Sequence, residues 1–249
     1  MKKLLGICTA DFGFFHDIRE VLKARGIPFV GVSVGEDIPE EVGVVLTSPN
    51  EMDSIDFEPK VASDSVEEAI GRALCVLAGK TEIIWLTVGV DPGPKPGLAA
   101  LADGEVLETR TAESPEQVVR IVSELIRVYA PRNSRVRVGH GDPINRNRII
   151  NTLLDEGYLV EMVDEKGTTT RTENPDLEAA RQIAISNGTT VWEKLSVVPT
   201  ARQLKEIQRQ SRIASGNRIT ISTDLAREVA LGRITLTEAL RIQGKPERI

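Results

Sequence analysis

The sequence predicts an α/β protein, with a mixed sheet and flanking helices preceded by a small parallel α/β unit and followed by a helical tail. Three observations carry this. Over residues 1–79, short apolar runs alternate with amphipathic segments, the pattern of strands joined by crossover helices. From residue 80, three strand signals come in succession, two of them joined by Asp103-Gly104, before helices and strands alternate again. Beyond residue 200, apolar residues stand widely spaced among long polar side chains. The expected units are therefore 1–79, 80–199 and a basic helical extension, 200–249.

Within the first unit, KLLGICTA reads as a core strand, with Asp11 interrupting the apolar segment. FFHDIREVLKARG has helical spacing and stops at Gly26. PFVGVSV and VGVVLTS read as further strands. SDSVEEAIGRALCVLAG reads as a helix capped by Ser or Asp, with acids in its first turn.

In the second unit, TEIIWLTVGVD is a strong strand, and GLAALADGEVLETRTA is a hairpin turning at Asp103-Gly104. SPEQVVRIVSELIRVYA is a helix with Ser114 at its cap and Pro115 in its first position. RVRVGHGD is a strand, INRNRIINTLLDEG a helix and YLVEMVDE a strand. NPDLEAARQIAISNG is a helix with Asn174 as its cap. The order is β-β-β-α-β-α-β-α. In the extension, TARQLKEIQRQSRIASG reads as one helix and STDLAREVALGRITLTEALRIQG as two short ones.

Composition narrows the chemistry. Of the 249 residues, 41% are apolar, enough for a real core, yet no apolar run reaches the roughly 18–20 residues of a membrane span. The start reads as a core strand and not a signal peptide. Cys8 and Cys75 lie far apart without thiol-pair or zinc spacing, so a reduced, cytoplasmic protein is expected. His16 and His140 are the two histidines of the sequence, too few for a histidine-rich metal site. The net charge of −6 is uneven: residues 201–249 hold ten Lys/Arg and five Asp/Glu, against 21 and 32 elsewhere. An acidic body with a basic tail can still meet nucleic acid through the tail.

The strand order brings acids toward one sheet edge. Asp91 ends the first strand of the second unit, Asp164 and Glu165 end its last, and Asp176 lies in the first turn of the following helix. Ligands gather at the carboxyl ends of central strands, and clustered carboxylates suit hard cations. Each acid also has a plainer explanation: a turn at Asp91-Pro92-Gly93, a solvated strand end at Glu165, a helix-dipole preference at Asp176.

VGVDPGPKPGLAAL, at 88–101, resembles the first strand and turn of the RNase H-like superfamily, particularly RuvC-type resolvases and the YqgF family. RVRVGHGDP, VEMVDEKGTTT and NPDLEAARQIA resemble YqgF segments in the same order, with Lys166 where Arg is usual. The resemblance spans roughly residues 83–186. It implies an RNase H-like mixed sheet and magnesium- or manganese-dependent hydrolysis of phosphodiesters in DNA or RNA, in recombination or repair. It also implies Asp91 as first-strand ligand, Glu165 as second acid and Asp176 as last-helix acid. A further acid of RuvC resolvases, one turn along the last helix, is here Ala179. The fourth-strand acid has His140 and Asp142 as its nearest counterparts. Asp142 is a candidate fourth ligand, or GHGDP is only a polar loop; His140 is a candidate for phosphate binding or proton transfer, or has a structural role.

Phosphate backbone needs positive charge beside such acids. Arg146, Arg148, Lys166, Arg171 and the tail residues Arg202, Lys205, Arg209 and Arg212 could supply it, the last four falling on one helix face. Aromatic residues beyond position 80 are limited to Trp85, Tyr129, Tyr158 and Trp192, which argues against a stacking platform for single strands. A homodimer would suit paired cuts on a symmetric junction. Two other readings stand beside the nuclease: a nucleic-acid-binding or scaffold protein that keeps the fold without cutting, and an actin-like nucleotide-binding phosphotransferase. LAGKT at 77–81 is no P-loop, because position 74 would have to be Gly and is Leu74.

Overall fold

A computed structural model describes residues 4–164 and 175–244 of the chain. The first unit contains β1 (Leu4–Cys8), α1 (Phe12–Ala24), β2 (Phe29–Val32), β3 (Val42–Thr47), a 3₁₀ turn (Pro49–Ser54), β4 (Lys60–Ala62) and α2 (Val66–Leu77). Its sheet is wholly parallel, in the order β2-β1-β3-β4. Leu5, Ile7, Val44 and Leu46 pack with Ile18, Leu22, Ile70 and Leu74 on the helical face. The opposite face buries Cys8, Val32, Val42, Val45 and Ile55. Both faces are covered, so β3 is apolar at nearly every position and buried throughout.

Asp11 interrupts the apolar segment because a helix begins there. It is the N-cap of α1, and its side chain accepts from the Phe14 amide. Ser65 does the same for α2, accepting from Glu68. β4, with three residues, and the 3₁₀ turn carry too little periodicity to be legible in the sequence.

The second sheet has the order β10-β9-β8-β5-β6-β7. β5 (Trp85–Asp91), β6 (Gly97–Ala102) and β7 (Glu105–Thr111) are antiparallel neighbours. β8 (Asn133–Gly139) and β9 (Val160–Val163) continue parallel to β5, and the short β10 (Thr189–Thr190) closes the edge antiparallel. The hairpin turns as the sequence predicts: Asp103 (φ 49°) and Gly104 (φ 91°) are both left-handed, as a two-residue turn with native twist requires.

α3 (Pro115–Tyr129) and α4 (Pro143–Asp155) cover one face of this sheet, over Leu86, Val88, Val90, Val136 and Val138. α5 (Pro175–Ile185) covers the other, against Ala99 and Leu101. Ser114 does hold the cap position of α3, but its hydroxyl makes no capping bond. The expected cap of α5, Asn174, lies outside the described residues.

In the extension, α6 (Ala201–Ala214), α7 (Thr223–Ala230) and α8 (Leu236–Gln243) surround a small core of Leu204, Ile221, Ala226, Ala230 and Ala239, joined by Ile144 of α4. Capping boxes at Thr200/Gln203 and Thr235/Glu238 define the starts of α6 and α8. Among the described residues no helix is long and apolar enough to cross a membrane.

Candidate functional site

β5 runs through the middle of its sheet, between β6 and β8. Alternation sends Leu86, Val88 and Val90 to the face of α3 and α4, and Gly89 and Asp91 to the face of α5. Gly89 has no side chain because there is no room for one: a Cβ there would lie 2.2 Å from the Ala180 carbonyl oxygen. Gly97 repeats the device one strand over, where a Cβ would lie 2.4 Å from the Asp176 carbonyl oxygen. α5 therefore rests its backbone on two glycines, with Ala180 and Ala184 filling the contact.

This packing sets the start of α5 over the hairpin partner of Asp91. Asp91 is the last residue of β5 and pairs with Gly97 across the hairpin, and the Asp176 backbone lies on Gly97. Asp91 is thus a strand-end residue whose partner position supports the first turn of α5. The loop after β8 stacks on the same spot: a Cβ on Gly141 would be 3.7 Å from Asp91 Oδ1 and 3.2 Å from Pro92 Cγ. Asn145 Nδ2 of α4 donates to the Gly93 carbonyl at 3.4 Å.

The other expected residues are less uniform. Asp142 is the N-cap of α4, its Oδ1 accepting from the amides of Ile144 (2.9 Å) and Asn145 (3.2 Å). His140 is exposed at the rim of the edge, its carbonyl accepting from Arg146 Nη1. Ala179, at the place of a further acid, is partly buried. Glu165, Lys166 and Arg171 lie outside the described residues. Among the described residues no three His, Cys, Asp or Glu side chains gather as a metal-holding group.

The basic residues separate into two sets. The Arg148 side chain is 16% exposed; its guanidinium pairs with Glu116 and reaches Asn145 and the Ala230 carbonyl. It ties α4 to α3 and α7 and does not face outward as a phosphate contact would. Arg146 is held by Asn147 and His140. By contrast, Arg202, Lys205, Arg209 and Arg212 are all exposed and line one groove along α6. Arg209 pairs with Glu206 of its own helix, while no hydrogen bond or ion pair engages the side chains of Arg202, Lys205 or Arg212 among the described residues. A second groove, of about 340 Å³, lies between the start of α4 and residues 196–203, and Arg202 lines it too. The two grooves share Arg202, so they join the start of α4 to the basic face of α6.

Sequence reasoning missed three features. The strand glycines at 89 and 97 were legible as points of close backbone approach. Buried Arg137 donates to Glu161 (2.7 Å) and to the Ala184 carbonyl near the end of α5 (2.8 Å), anchoring that helix from below. Glu51 seals the carboxyl edge of the first sheet, between β1 and β3. Its carboxylate accepts from the hydroxyls of Thr9 and Ser48 and from the Ala10 amide. Burial works to raise this carboxyl, and those hydrogen bonds outweigh it and hold it below the ordinary glutamate value.

Residues 4–77 match the family model of a response regulator receiver-like domain. Residues 200–245 match that of a three helical bundle domain. No curated protein matches the chain. The first match covers the parallel unit sealed by Glu51, and the second covers the helices that carry the basic groove.

Proposed function

We propose that the central unit is an RNase H-like domain that hydrolyses phosphodiester bonds in structured or branched nucleic acid with magnesium or manganese. The observation that carries this reading is the seating of the Asp176 backbone on Gly97, the cross-strand partner of Asp91, at the carboxyl end of β5. The β-β-β-α-β-α-β-α order from β5 to α5 supports the fold assignment. The donor set suits a hard divalent cation in kind, since such ions are often held by one or two carboxylates and complete their shell with water and substrate phosphates. The glycines at 97 and 141 add no side chain of their own beside Asp91.

Asp91 and Asp176 would hold the ion, with Glu165 as the sequence candidate for a third ligand. When bound, such ions activate water and stabilise the leaving oxygen of a phosphodiester. The chain's own contribution is positioning. Arg202, Lys205 and Arg212 attract the phosphate backbone along α6, and the groove that Arg202 shares with Pro143 and Ile144 continues that surface to the start of α4. His140 stands at the rim, where it can meet a phosphate.

The test is cleavage in manganese of labelled four-way junction, single-stranded DNA, RNA and RNA–DNA hybrid by wild type and Asp91→Asn. Cutting by wild type alone is expected. A second reading, binding without cutting, draws on one observation: Asp142 Oδ1 is engaged in capping α4. Retained binding with no cutting by either protein would establish that reading and sink the nuclease.

A further inference from the structure

A cleft between the parallel unit and α3 takes no part in the chemistry above. It encloses about 680 Å³, the size of small-molecule sites and at the kind of boundary where they form. β4 and α2 make one wall; residues 80–83 and the end of α3 make the other. The walls are fixed against each other. A Cβ on Gly71 of α2 would lie 2.1 Å from Val128 Cγ1 of α3, so the two helices touch there. Arg25, at the end of α1, reaches Glu108 of β7 (3.6 Å) and Glu124 of α3 (3.3 Å).

The lining is unbalanced in charge. Lys60, Arg72, Lys80 and Arg127 face two acids, Glu68 and Glu82. Glu68 is met by Arg127 at 3.7 Å and Glu82 by Arg132 at 2.6 Å. Lys60 donates to the Ile55 carbonyl at 2.7 Å and meets the exposed Glu58 carboxylate at 3.6 Å, and Lys80 meets the exposed Glu105 carboxylate at 3.6 Å; ion pairs of this kind are weak. Arg72 is exposed, and no hydrogen bond or ion pair engages it among the described residues. Between the cations the surface is apolar, from Val76, Ile83 and Val128. Burial pushes the Cys75 thiol up to about 11, so it is a neutral wall and not a nucleophile.

We propose that this cleft binds a small organic anion, with its charged head at Arg72 and the neighbouring lysines and its apolar body against Val76, Ile83 and Val128. The shared chemistry is a phosphate, sulfonate or carboxylate on a hydrophobic frame; an unpaired guanidinium beside apolar surface recognises both parts.

The probe is anilinonaphthalene sulfonate, titrated into the full chain and followed by fluorescence. Saturable binding is expected, weakened about tenfold or more in Arg72→Glu by removal of a charge-assisted hydrogen bond. Val76→Trp, which fills the cleft without touching its charge, should weaken it as well. Both variants should keep the wild-type thermal transition. Competition by adenosine monophosphate identifies a phosphate head and competition by octanoate a carboxylate head. Unsaturable binding, wild-type affinity in both variants, or failure of both competitors overturns the proposal. Asp91→Asn should bind the probe as wild type does, so this result stands apart from the fate of the nuclease reading.

Discussion

Glu51 shows how one side chain can be tested through its ionisation. Its folded carboxyl is held below the unfolded value of about 4.3. The stability it contributes is therefore fully present above that value and is lost as pH falls through the folded one. Glu51→Gln should be less stable than wild type by about 1–2 kcal/mol at neutral pH, the range of hydrogen bonds to a partly exposed charged group. Urea denaturation across pH should show the two proteins converging as pH falls through the folded value. A gap of constant size down to pH 3 would mean that shape and not charge holds Glu51 in place. Tyr129 illustrates the opposite case. Its buried hydroxyl donates to buried Glu108 at 2.6 Å, and burial followed by the Glu108 charge raises its pKa well above the usual phenol value. It stays neutral throughout the physiological range and acts as a fixed donor.

Among the elements, α5 decides whether there is a site at all. Its register is set by the absence of side chains at Gly89 and Gly97, not by its own weak amphipathicity. Gly97→Ala would drive a methyl group into the Asp176 backbone, and the helix must move. Overpacking of this kind costs about 1–3 kcal/mol. The expected outcome is a lowered thermal transition together with weakened manganese affinity in a calorimetric titration, as in Asp91→Asn but with stability also reduced. Wild-type manganese affinity in Gly97→Ala would separate Asp176 from the metal. The helix starts were mostly readable because capping chemistry is local: Ser65 and Thr200 each accept an amide within three residues. β4 and β10 were not readable, since strands of two or three residues exist only where a neighbouring strand offers a ladder.

At the scale of the molecule, the charge imbalance between body and tail becomes a surface. Deleting the extension would expose Ile144, which belongs to the core of the helical bundle, so substitution is the cleaner experiment. Arg202→Gln, Lys205→Gln and Arg212→Gln combined should leave the fold intact, because all three side chains are exposed. Each phosphate that goes without its cation takes about 0.7–0.9 from the slope of log affinity against log salt. The triple variant should therefore flatten that slope by about 2–3. An unchanged slope would make the α6 groove a structural surface. The Arg148 side chain, although basic and close in sequence to the site, should contribute to stability and not to the slope, since Glu116 and the Ala230 carbonyl already engage it.

Sequence alone determined the order of the main elements, the two-residue turn at Asp103-Gly104 and the one-sided charge of α6. These depend on periodicity, turn chemistry and helix geometry, which act over a few residues. It also nominated Asp91 and Asp176, because both sit at element ends where acids meet ligands. Only the tertiary structure decided that the Asp176 backbone rests on Gly97, the cross-strand partner of Asp91, while Asp142 caps a helix, that Arg148 is enclosed, and that Glu51 closes the first sheet. It alone revealed the cleft beneath Arg72. Each of these depends on which surfaces approach one another across tens of residues, and close packing at Gly71, Gly89 and Gly97 sets those approaches.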